Sequence, residues 1–298
     1  MIIDSMQGLG DNIYQRAFIS QVKEPVYLNT PWPEIYEGLP NVRFLKRNTT
    51  LRTQRKNIER ISRDWAKPPG RGIIQRRNRY TREGVFPGMS RSMGISPAAM
   101  TLPSYGQNPH VGEVYAVIRP CTVRAEWAAP SRNCDPEYIT EAATQMQAAG
   151  IKVISVADLE PNQEWLVGKA PPADVRYHTG ELNIYQLLSL IEGAAMVVGP
   201  VGWIVPACMA YQKEALIICG GNGGHNHPSC LTDPDREVPS VQFAIPEPMC
   251  MCTERQHACK KEIPEFASKF AATLAARIGA GLQPGASDRV RRLVLATI

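Results

Sequence analysis

The sequence has no run of eighteen apolar residues, and its most apolar stretch, residues 193–208, is interrupted by glycine and proline. A membrane-spanning helix needs about 20 such residues, so we expect none. The first twelve residues lack the basic start and apolar stretch of a secretory signal. Eight cysteines without such a signal are typical of a reducing compartment. We therefore expect a cytoplasmic protein.

Aromatic residues are few, at 7%, and charged residues make up only 20% of the chain, which is too little charge for a disordered protein. Apolar residues make up 44% of the 298 residues, enough to form the core of one large domain or two medium ones. The composition therefore indicates a globular chain.

The net charge of +5 is unevenly distributed. Residues 43–91 contain fifteen lysines and arginines but three acids, whereas the remaining chain is net acidic. So concentrated a basic segment favours a polyanionic partner, such as nucleic acid, a phosphorylated glycolipid or an anionic surface. A solvated basic face without a partner is the alternative.

Apolar residues at helical spacing predict a helix over residues 51–65 within this basic segment, with one face docked and the other rich in guanidinium groups. A second basic cluster with a tyrosine, Tyr80, follows it, and such mixtures suit a nucleic-acid backbone and an unstacked base. The cations that we expect to contact the phosphates of an acceptor are Arg52, Arg55, Lys56, Arg60, Arg63, Arg76, Arg77, Arg79 and Arg82.

Short apolar strands alternate with helices in two stretches of the chain, which predicts an α/β protein with two parallel sheets. Residues 84–112 show no clear periodicity, and we interpret them as loops leading to a domain boundary. We thus expect an N-terminal domain over residues 1–112 and a C-terminal domain over residues 113–298, facing each other across a cleft. A final helix is predicted over residues 264–278.

A glycine-rich loop follows the first predicted strand. Gly8 and Gly10 permit a ligand to approach the N-terminus of the next helix, which favours negative charge. The loop is not the dinucleotide fingerprint GxGxxG, because the third glycine is missing at its spacing. Asp11 either caps this helix or, at the mouth of the sheet, accepts a proton.

Two further segments follow predicted strands in the second half. Arg119, Thr122 and Arg124 are suited to clamp a diphosphate, with ordinary interdomain salt bridges as the alternative. A late turn between a strand and a helix is suited to hold a phosphate, with a tight turn and a packed Trp as the alternative. This turn consists of Gly199, Pro200, Val201, Gly202 and Trp203.

Together, Gly10-Asp11, residues 119–127 and residues 198–206 resemble segments of the heptosyltransferase-like glycosyltransferases. Those enzymes have the GT-B fold, in which two Rossmann-like domains face each other across a cleft. More narrowly, the chain is similar to phage-encoded, DNA-modifying members. It departs from the heptosyltransferase pattern in the late turn, which lacks the usual Asp-Ser/Thr-Gly and the following His. The donor's identity therefore does not transfer.

The resemblance implies an inverting transfer from a nucleotide-sugar co-substrate, with a UDP-sugar such as UDP-glucose as our expectation and no catalytic metal. Asp11 would be the general base, and Arg119, Thr122 and Arg124 would stabilise the leaving diphosphate. Glu181 would accept a hydrogen bond from a ribose or sugar hydroxyl, although a first-turn acid favoured by the helix dipole explains it equally well.

The basic segment lies in the half of the chain that binds the acceptor in GT-B enzymes. The acceptor that we predict is therefore a hydroxymethylated pyrimidine in DNA, flipped out of the helix with help from Trp65 or Tyr80. Gly8 and Gly10 would lie on this acceptor side. The alternatives are a lipopolysaccharide or other cell-surface glycan, and a non-catalytic nucleic-acid-binding protein with a GT-B-like fold.

Four potential metal ligands lie close together near the C-terminus: Cys250, Cys252, His257 and Cys259. Thiolates and imidazole suit tetrahedral zinc, although the spacing is not that of the familiar zinc fingers. We expect any metal held here to stabilise a loop without taking part in chemistry.

Overall fold

The apolar runs form parallel strands in two sheets, as predicted. The computed structural model describes residues 1–70, 74–79 and 83–277. The strands are β1 (Ile2–Asp4), β2 (Val26–Thr30), β3 (Val42–Lys46), β4 (Gln75–Arg77), β5 (Tyr115–Ile118), β6 (Thr122–Arg124), β7 (Lys152–Val156), β8 (Glu164–Leu166), β9 (Val175–Tyr177), β10 (Met196–Pro200), β11 (Ala215–Ile218) and β12 (Val241–Ala244).

Helices cover both sheets and connect most of the parallel strands. They are α1 (Leu9–Ile19), α2 (Arg52–Arg60), α3 (Val85–Met93), α4 (Pro136–Ala148), α5 (Ile184–Gly193), α6 (Ile204–Tyr211), α7 (Gly223–Asn226), α8 (Pro228–Leu231) and α9 (Phe266–Arg277). Short 3-10 turns lie at Pro33–Tyr36, Ala125–Trp127 and Pro130–Arg132.

β6 and β8 form a separate antiparallel pair, and each of the two parallel sheets has a point where the strand order reverses. The N-terminal sheet has the order β3-β2-β1-β4, so the reversal lies between β1 and β4. The C-terminal sheet has the order β12-β11-β10-β5-β7-β9, with the reversal between β5 and β10. Open α/β sheets bind ligands in the crevice at the carboxyl end of such a reversal.

Local sequence explains several boundaries. Pro136 occupies the first turn of α4, and the Asp135 side chain caps this helix by accepting from the Glu137 N–H. Asn183 and Gln186 form a capping box at α5. All residues of β5 and β10 are buried, as expected for parallel strands covered on both faces.

The expectation that residues 84–112 are loops is wrong in part, and β4 was not predicted. The segment expected to be loops contains α3, whose buried face includes Val85, Phe86 and Met89. Its helical pattern is short and contains Pro87, which a first turn tolerates. β4 is an edge strand made largely of charged residues, so it lacks the apolar run by which strands are recognised.

The remaining helix predictions are close to the structure. The basic helix is confirmed but ends at Arg60, because the backbone is extended from Ile61. The final helix is confirmed over Phe266–Arg277, with Phe270 and Leu274 buried, whereas residue 278 lies outside the described residues. Among the described helices, none has the length and apolar character that crossing a bilayer requires.

Candidate functional site

The two reversal points open into one cleft of about 1660 Å³ between the sheets. The loop after β1 and Asn78 after β4 line one wall, and Arg119 after β5 and Gly202 after β10 line the opposite wall. Both walls are carboxyl ends of strands, so the fold alone places this cleft where α/β proteins bind ligands.

Asp11 lies in this cleft, in the first turn of α1. Gly8 is the residue before the helix, so the interpretation of Asp11 as the cap residue is wrong. Burial raises the pKa of Asp11 to about 6, and the Gly8 backbone hydrogen bond and the positive charge of Arg132 only partly oppose this. A carboxyl group with that pKa is ionised at neutral pH but is basic enough to accept a proton.

Helix α1 closely approaches the start of α6 because residue 10 is glycine. A Cβ atom there would lie 3.0 Å from the Cα of Trp203 and 3.4 Å from Pro206. The same contact brings the N-terminal ends of both helices to the cleft. Their unpaired N–H groups favour an anion between them.

The guanidinium of Arg119 lies over the turn after β10. Its Nη1 would be 2.8 Å from a Cβ at Gly202, and its Nη2 is 3.5 Å from Thr122 Oγ1. Burial lowers the pKa of Arg119 to about 10; the negative charge of Glu164 opposes this, and the cations Arg124 and Arg132 contribute in the same direction as burial. Within the described part of the chain, no carboxylate lies within salt-bridge distance of Arg119. We call residues 119–135 the arginine loop.

A buried carboxylate, Glu164, organises this loop. Its side chain is 1% exposed. It accepts from Thr122 Oγ1 at 2.9 Å and Arg124 Nε at 2.6 Å, and Arg52 Nη2 lies at 3.3 Å. Arg124 also stacks over Trp127, with its guanidinium carbon 6.0 Å from the ring centroid. Thr122 and Arg124 are thus held at the cleft by contacts with Glu164.

The late turn divides into a buried half and a half that lines the cleft. Gly199 and Pro200 are buried in β10, whereas Val201, Gly202 and Trp203 line the cleft. The helix that follows starts at Ile204, so the turn does present a helix N-terminus there.

Glu181 also lines the cleft, and it precedes α5 by three residues. Its carboxylate accepts the backbone N–H groups of His178 and Thr179, at 3.3 and 2.8 Å. These hydrogen bonds lower its pKa against the opposing effect of burial. Glu181 is therefore a fixed, ionised acceptor at the cleft wall, and it is not part of the helix.

The cations of α2 are arranged differently from the prediction. The expectation that Arg52 presents its guanidinium to solvent is wrong, because that side chain is 8% exposed and lies 3.2 Å from Asp158 and 2.9 Å from Glu160. Lys56 Nζ pairs with Asp158 at 3.0 Å, and Arg60 donates to the Gly180 carbonyl. Helix α2 therefore ties the two halves of the chain together across the cleft.

The other basic residues of the segment are dispersed. Arg55 is exposed, and Arg63 pairs with Glu37 at 2.7 Å. The Arg76 side chain contacts the Met93 carbonyl, and Arg79 is exposed away from the cleft, whereas Arg77 lines it. Tyr80 and Arg82 lie outside the described residues, and Trp65 is half-buried and is not among the cleft-lining residues.

The four potential metal ligands do converge. The potential ligand atoms of Cys250, Cys252, His257 and Cys259 lie within 4.8 Å of one another. His257 Nδ1 is 3.5 Å from Cys250 Sγ and 3.3 Å from Cys259 Sγ, and the Cys252 and Cys259 sulfurs are 3.5 Å apart. A tetrahedral site with metal–sulfur bonds of about 2.3 Å places its sulfurs about 3.8 Å apart, so the residues fit a metal.

The loop that carries these ligands also reaches the cleft. Thr253 and Arg255 line the cleft, and the carbonyls of Cys250 and Cys252 accept the N–H groups of Gly223 and Gly224 at 2.8 and 3.1 Å. A metal at the four ligands would therefore fix a cleft wall without entering the cleft.

Several cleft residues were missed by the sequence analysis. They are Glu164, Arg132 and Arg255. Arg132 lies five residues beyond the segment 119–127 that the sequence analysis singled out, so no separate signal marked it in the sequence. Glu164 is on a three-residue strand far along the chain, and no local pattern marks its burial.

No family model and no curated protein matches this sequence. Solved structures do show its fold. The bacterial iron-containing dodecameric glycosyltransferase TibC from enterotoxigenic E. coli H10407 matches with a TM-score of 0.57 and 12% identity, over 99% of this chain and 75% of TibC. The complex of the heptosyltransferase TibC with ADP-D-beta-D-heptose gives 0.54 and 14%, over 100% and 77%.

The ADP-heptose lipopolysaccharide heptosyltransferase II of E. coli matches with a TM-score of 0.53 and 10% identity, over 99% of this chain and 98% of that one. At such low identities the similarity establishes the fold. The chain therefore has the GT-B fold of the heptosyltransferases, with two Rossmann-like halves facing across a cleft, and the predicted fold class is confirmed.

Proposed function

We propose that this protein is a glycosyltransferase that moves a sugar from a nucleotide-sugar to a hydroxyl of an acceptor. The observation that carries the proposal is the placement of Asp11, with its pKa raised to about 6, in a cleft whose opposite wall holds Arg119. A proton acceptor facing an anion-binding wall is what transfer from a diphosphate leaving group requires.

In the proposed reaction, Asp11 removes the proton of the acceptor hydroxyl as its oxygen attacks the anomeric carbon of the donor. The bond from that carbon to the diphosphate breaks, and the attack from the opposite side inverts the configuration. Arg119 and the N–H groups at the start of α6 stabilise the negative charge of the leaving diphosphate. The side chains present supply both functions, so the proposal requires no catalytic metal.

The donor proposed is a nucleoside diphosphate sugar. The cation pair Arg119 and Arg132 recognises the diphosphate, and Glu181 is placed to accept a ribose or sugar hydroxyl. UDP-glucose stays a prediction. TibC is described in complex with ADP-D-beta-D-heptose, so ADP-sugars and UDP-sugars are both to be tested.

For the acceptor, we favour an anionic glycan over a base in DNA. Lys56 and Arg60 contact the opposite half of the chain, so α2 does not offer a continuous basic surface to a duplex. Lys46, Arg47 and Arg77 also line the cleft, with Arg47 3.9 Å from Asp4, and three such cations suit one or a few phosphate or carboxylate groups. A hydroxymethylated pyrimidine in DNA remains the competing acceptor.

Mass spectrometry of products tests both acceptors. The protein is incubated with ADP- and UDP-sugars together with either lipopolysaccharide-derived oligosaccharides or hydroxymethylpyrimidine DNA. A sugar-sized mass gain on the oligosaccharide supports the proposed acceptor, and a gain on a nucleoside supports the DNA prediction. Binding of a nucleotide-sugar without transfer to either acceptor supports the non-catalytic alternative.

Asp11→Asn tests the assignment of the base. We expect turnover to fall about 1000-fold while nucleotide affinity stays within about twofold of wild type, because general-base catalysis contributes on the order of 10² to 10⁴. Asp4→Asn is the matched control, since Asp4 also lines the cleft and hydrogen-bonds Asn29 at 2.8 Å. Equal losses in the two variants would remove Asp11 from its proposed role.

The pH dependence of turnover follows from the same carboxyl group. The raised pKa means that Asp11 is protonated, and unable to act as a base, below pH about 6. Turnover should therefore fall as pH decreases through about 6, with a slope of one, and this acidic limb should be absent from the residual activity of Asp11→Asn.

The cysteine cluster is proposed to hold one structural metal ion, with zinc as the expected metal. A set of three thiolates and one imidazole is complete for tetrahedral zinc and leaves no open position for substrate. TibC is described as iron-containing, so zinc and iron are both to be measured in the purified protein. Cys259→Ser should remove the metal and lower the melting temperature, and a wild-type protein without zinc or iron would contradict the proposal.

A further inference from the structure

Two cysteines outside the metal cluster lie in contact at the base of the arginine loop. Cys121 follows β5 and Cys134 precedes α4, and both are 1% exposed. Their sulfurs are 3.4 Å apart, and Cys121 Sγ is 3.7 Å from the Cys134 carbonyl oxygen. A disulfide requires sulfurs about 2.05 Å apart, so the two sulfurs must approach each other by about 1.4 Å to bond.

The chain between these cysteines carries most of the phosphate-binding candidates. Thr122, Arg124 and Arg132 all lie in this twelve-residue stretch, and Arg119 lies two residues before Cys121. The base is already closed by one hydrogen bond, from Asn133 Nδ2 to the Thr122 carbonyl at 2.9 Å. A covalent link between the cysteines would thus join two loop ends that already touch.

We propose that Cys121 and Cys134 form a reversible disulfide that closes the base of the arginine loop under oxidising conditions. With hydrogen peroxide as oxidant, the Cys121 thiolate attacks one oxygen, becomes a sulfenic acid and releases hydroxide. The Cys134 thiol then attacks the Cys121 sulfur and displaces water, so two thiols become one disulfide and the peroxide becomes two waters. A dithiol reductant reverses the reaction.

The surroundings of the two thiols give them different roles. The hydrogen bond from Cys134 lowers the pKa of Cys121 against the effect of burial, and the positive charges of Arg119 and Lys261 contribute. The contact with Cys121 and burial raise the pKa of Cys134. Because the thiolate is the reactive form, Cys121 is the attacking sulfur and Cys134 resolves the sulfenic acid.

The expected consequence is a more ordered arginine loop in the oxidised protein. A cross-link between residues 121 and 134 removes the openings in which these loop ends separate. The relevance of that order to nucleotide binding rests on the proposed function. The disulfide itself does not, because it depends only on the sulfur geometry.

Peptide mapping of the full-length protein tests the link. The folded protein is oxidised with hydrogen peroxide and then denatured in the presence of an alkylating agent, which blocks the remaining free thiols. The protein is then digested. We expect a linked Cys121–Cys134 peptide pair, about 2 Da lighter than the two free thiols and released by dithiothreitol. Full alkylation of both cysteines, or links from either one to the metal-cluster cysteines, would overturn the proposal.

Hydrogen exchange measures the effect on the loop without nucleotide or turnover. Amides of residues 122–133 should exchange about tenfold more slowly after oxidation of the wild type. Cys134→Ala and Cys121→Ala should each abolish the slowing, whereas Cys208→Ala, which removes a buried cysteine in α6, should retain it. Equal slowing in the Cys121 and Cys134 variants would contradict the inference even if the peptide pair were found.

Discussion

Helix α2 and the arginine loop each contribute an arginine, Arg52 and Arg119, but the two differ in their carboxylate partners and only Arg119 lines the cleft. Arg52 is buried against Asp158, Glu160 and Glu164, which all belong to the opposite half of the chain. Arg119 is half-buried and has no carboxylate at salt-bridge distance among the described residues, although the negative charge of Glu164 acts on it from farther away. Arg52 is thus a structural tie, whereas Arg119 lines the cleft without a direct carboxylate contact among the described residues.

The difference follows from the cost of burying charge. A desolvated cation is expensive unless it is paired, and the lowered pKa of Arg119 reflects that cost. A bound diphosphate would provide the missing negative charge, so binding would recover part of this free energy. Net charge along a sequence does not distinguish the two situations, because it does not show which cations already have carboxylate partners.

The largest effect is expected from Arg52→Ala. Removing this guanidinium leaves the buried Glu164 and its neighbour Asp158 with fewer compensating charges, so the free energy of unfolding should fall by about 3 kcal/mol. Denaturant unfolding measures it. If the free energy of unfolding fell by less than about 1 kcal/mol, the ion pairs of Arg52 would not be what holds α2 to the opposite half of the chain.

Unlike Arg52→Ala, Arg119→Ala should weaken ligand binding with little loss of stability. Loss of a charge-assisted contact worth about 2 kcal/mol should weaken nucleoside diphosphate binding about 30-fold, measured by titration calorimetry with ADP and with UDP. The melting temperature should change little, because the variant removes a partly desolvated charge that has no carboxylate at salt-bridge distance among the described residues. Arg119→Lys, which keeps the charge but not the fork of donors, should recover only part of the affinity. Unchanged affinity in Arg119→Ala would remove the distinction between the two regions.

The architecture was predictable because parallel strands covered by helices have a strong signal. The final helix was predicted within two residues of its observed bounds, and the basic helix was predicted within five. β4 was missed because its residues are polar at the sheet edge, and α3 because Pro87 and Gly88 obscure a short helical pattern.

The site was predictable only in part, because local sequence locates the residues that follow strands but not their partners far along the chain. Asp11, Arg119 and Gly202 follow strands, and the carboxyl ends of parallel strands meet at one edge, so local sequence locates them. The partners of Arg52 lie more than a hundred residues away, and a pairing of that kind depends on how the two halves dock. The sequence shows that Arg52 is charged, but it does not show that Arg52 contacts Glu164.

The smallest expected effect is the difference in unfolding free energy between alanine variants of two cations on α2, Lys56 and Arg55. Lys56 pairs across the cleft with Asp158 at 3.0 Å and is 30% exposed, whereas Arg55 is 60% exposed and 3.9 Å from Glu59 on its own helix. Solvent screens both pairs, so Lys56→Ala should cost up to about 1 kcal/mol of unfolding free energy and Arg55→Ala about 0.3 kcal/mol. The difference should shrink when sodium chloride is raised from 0.05 to about 1 M, because salt screens such partly exposed charges. If Arg55→Ala lowered the unfolding free energy as much as Lys56→Ala at low salt, the ion pair between Lys56 and Asp158 would add no more stability than a pair within α2. Of the described ion pairs between α2 and the opposite half, only those of the buried Arg52 would then stabilise the protein.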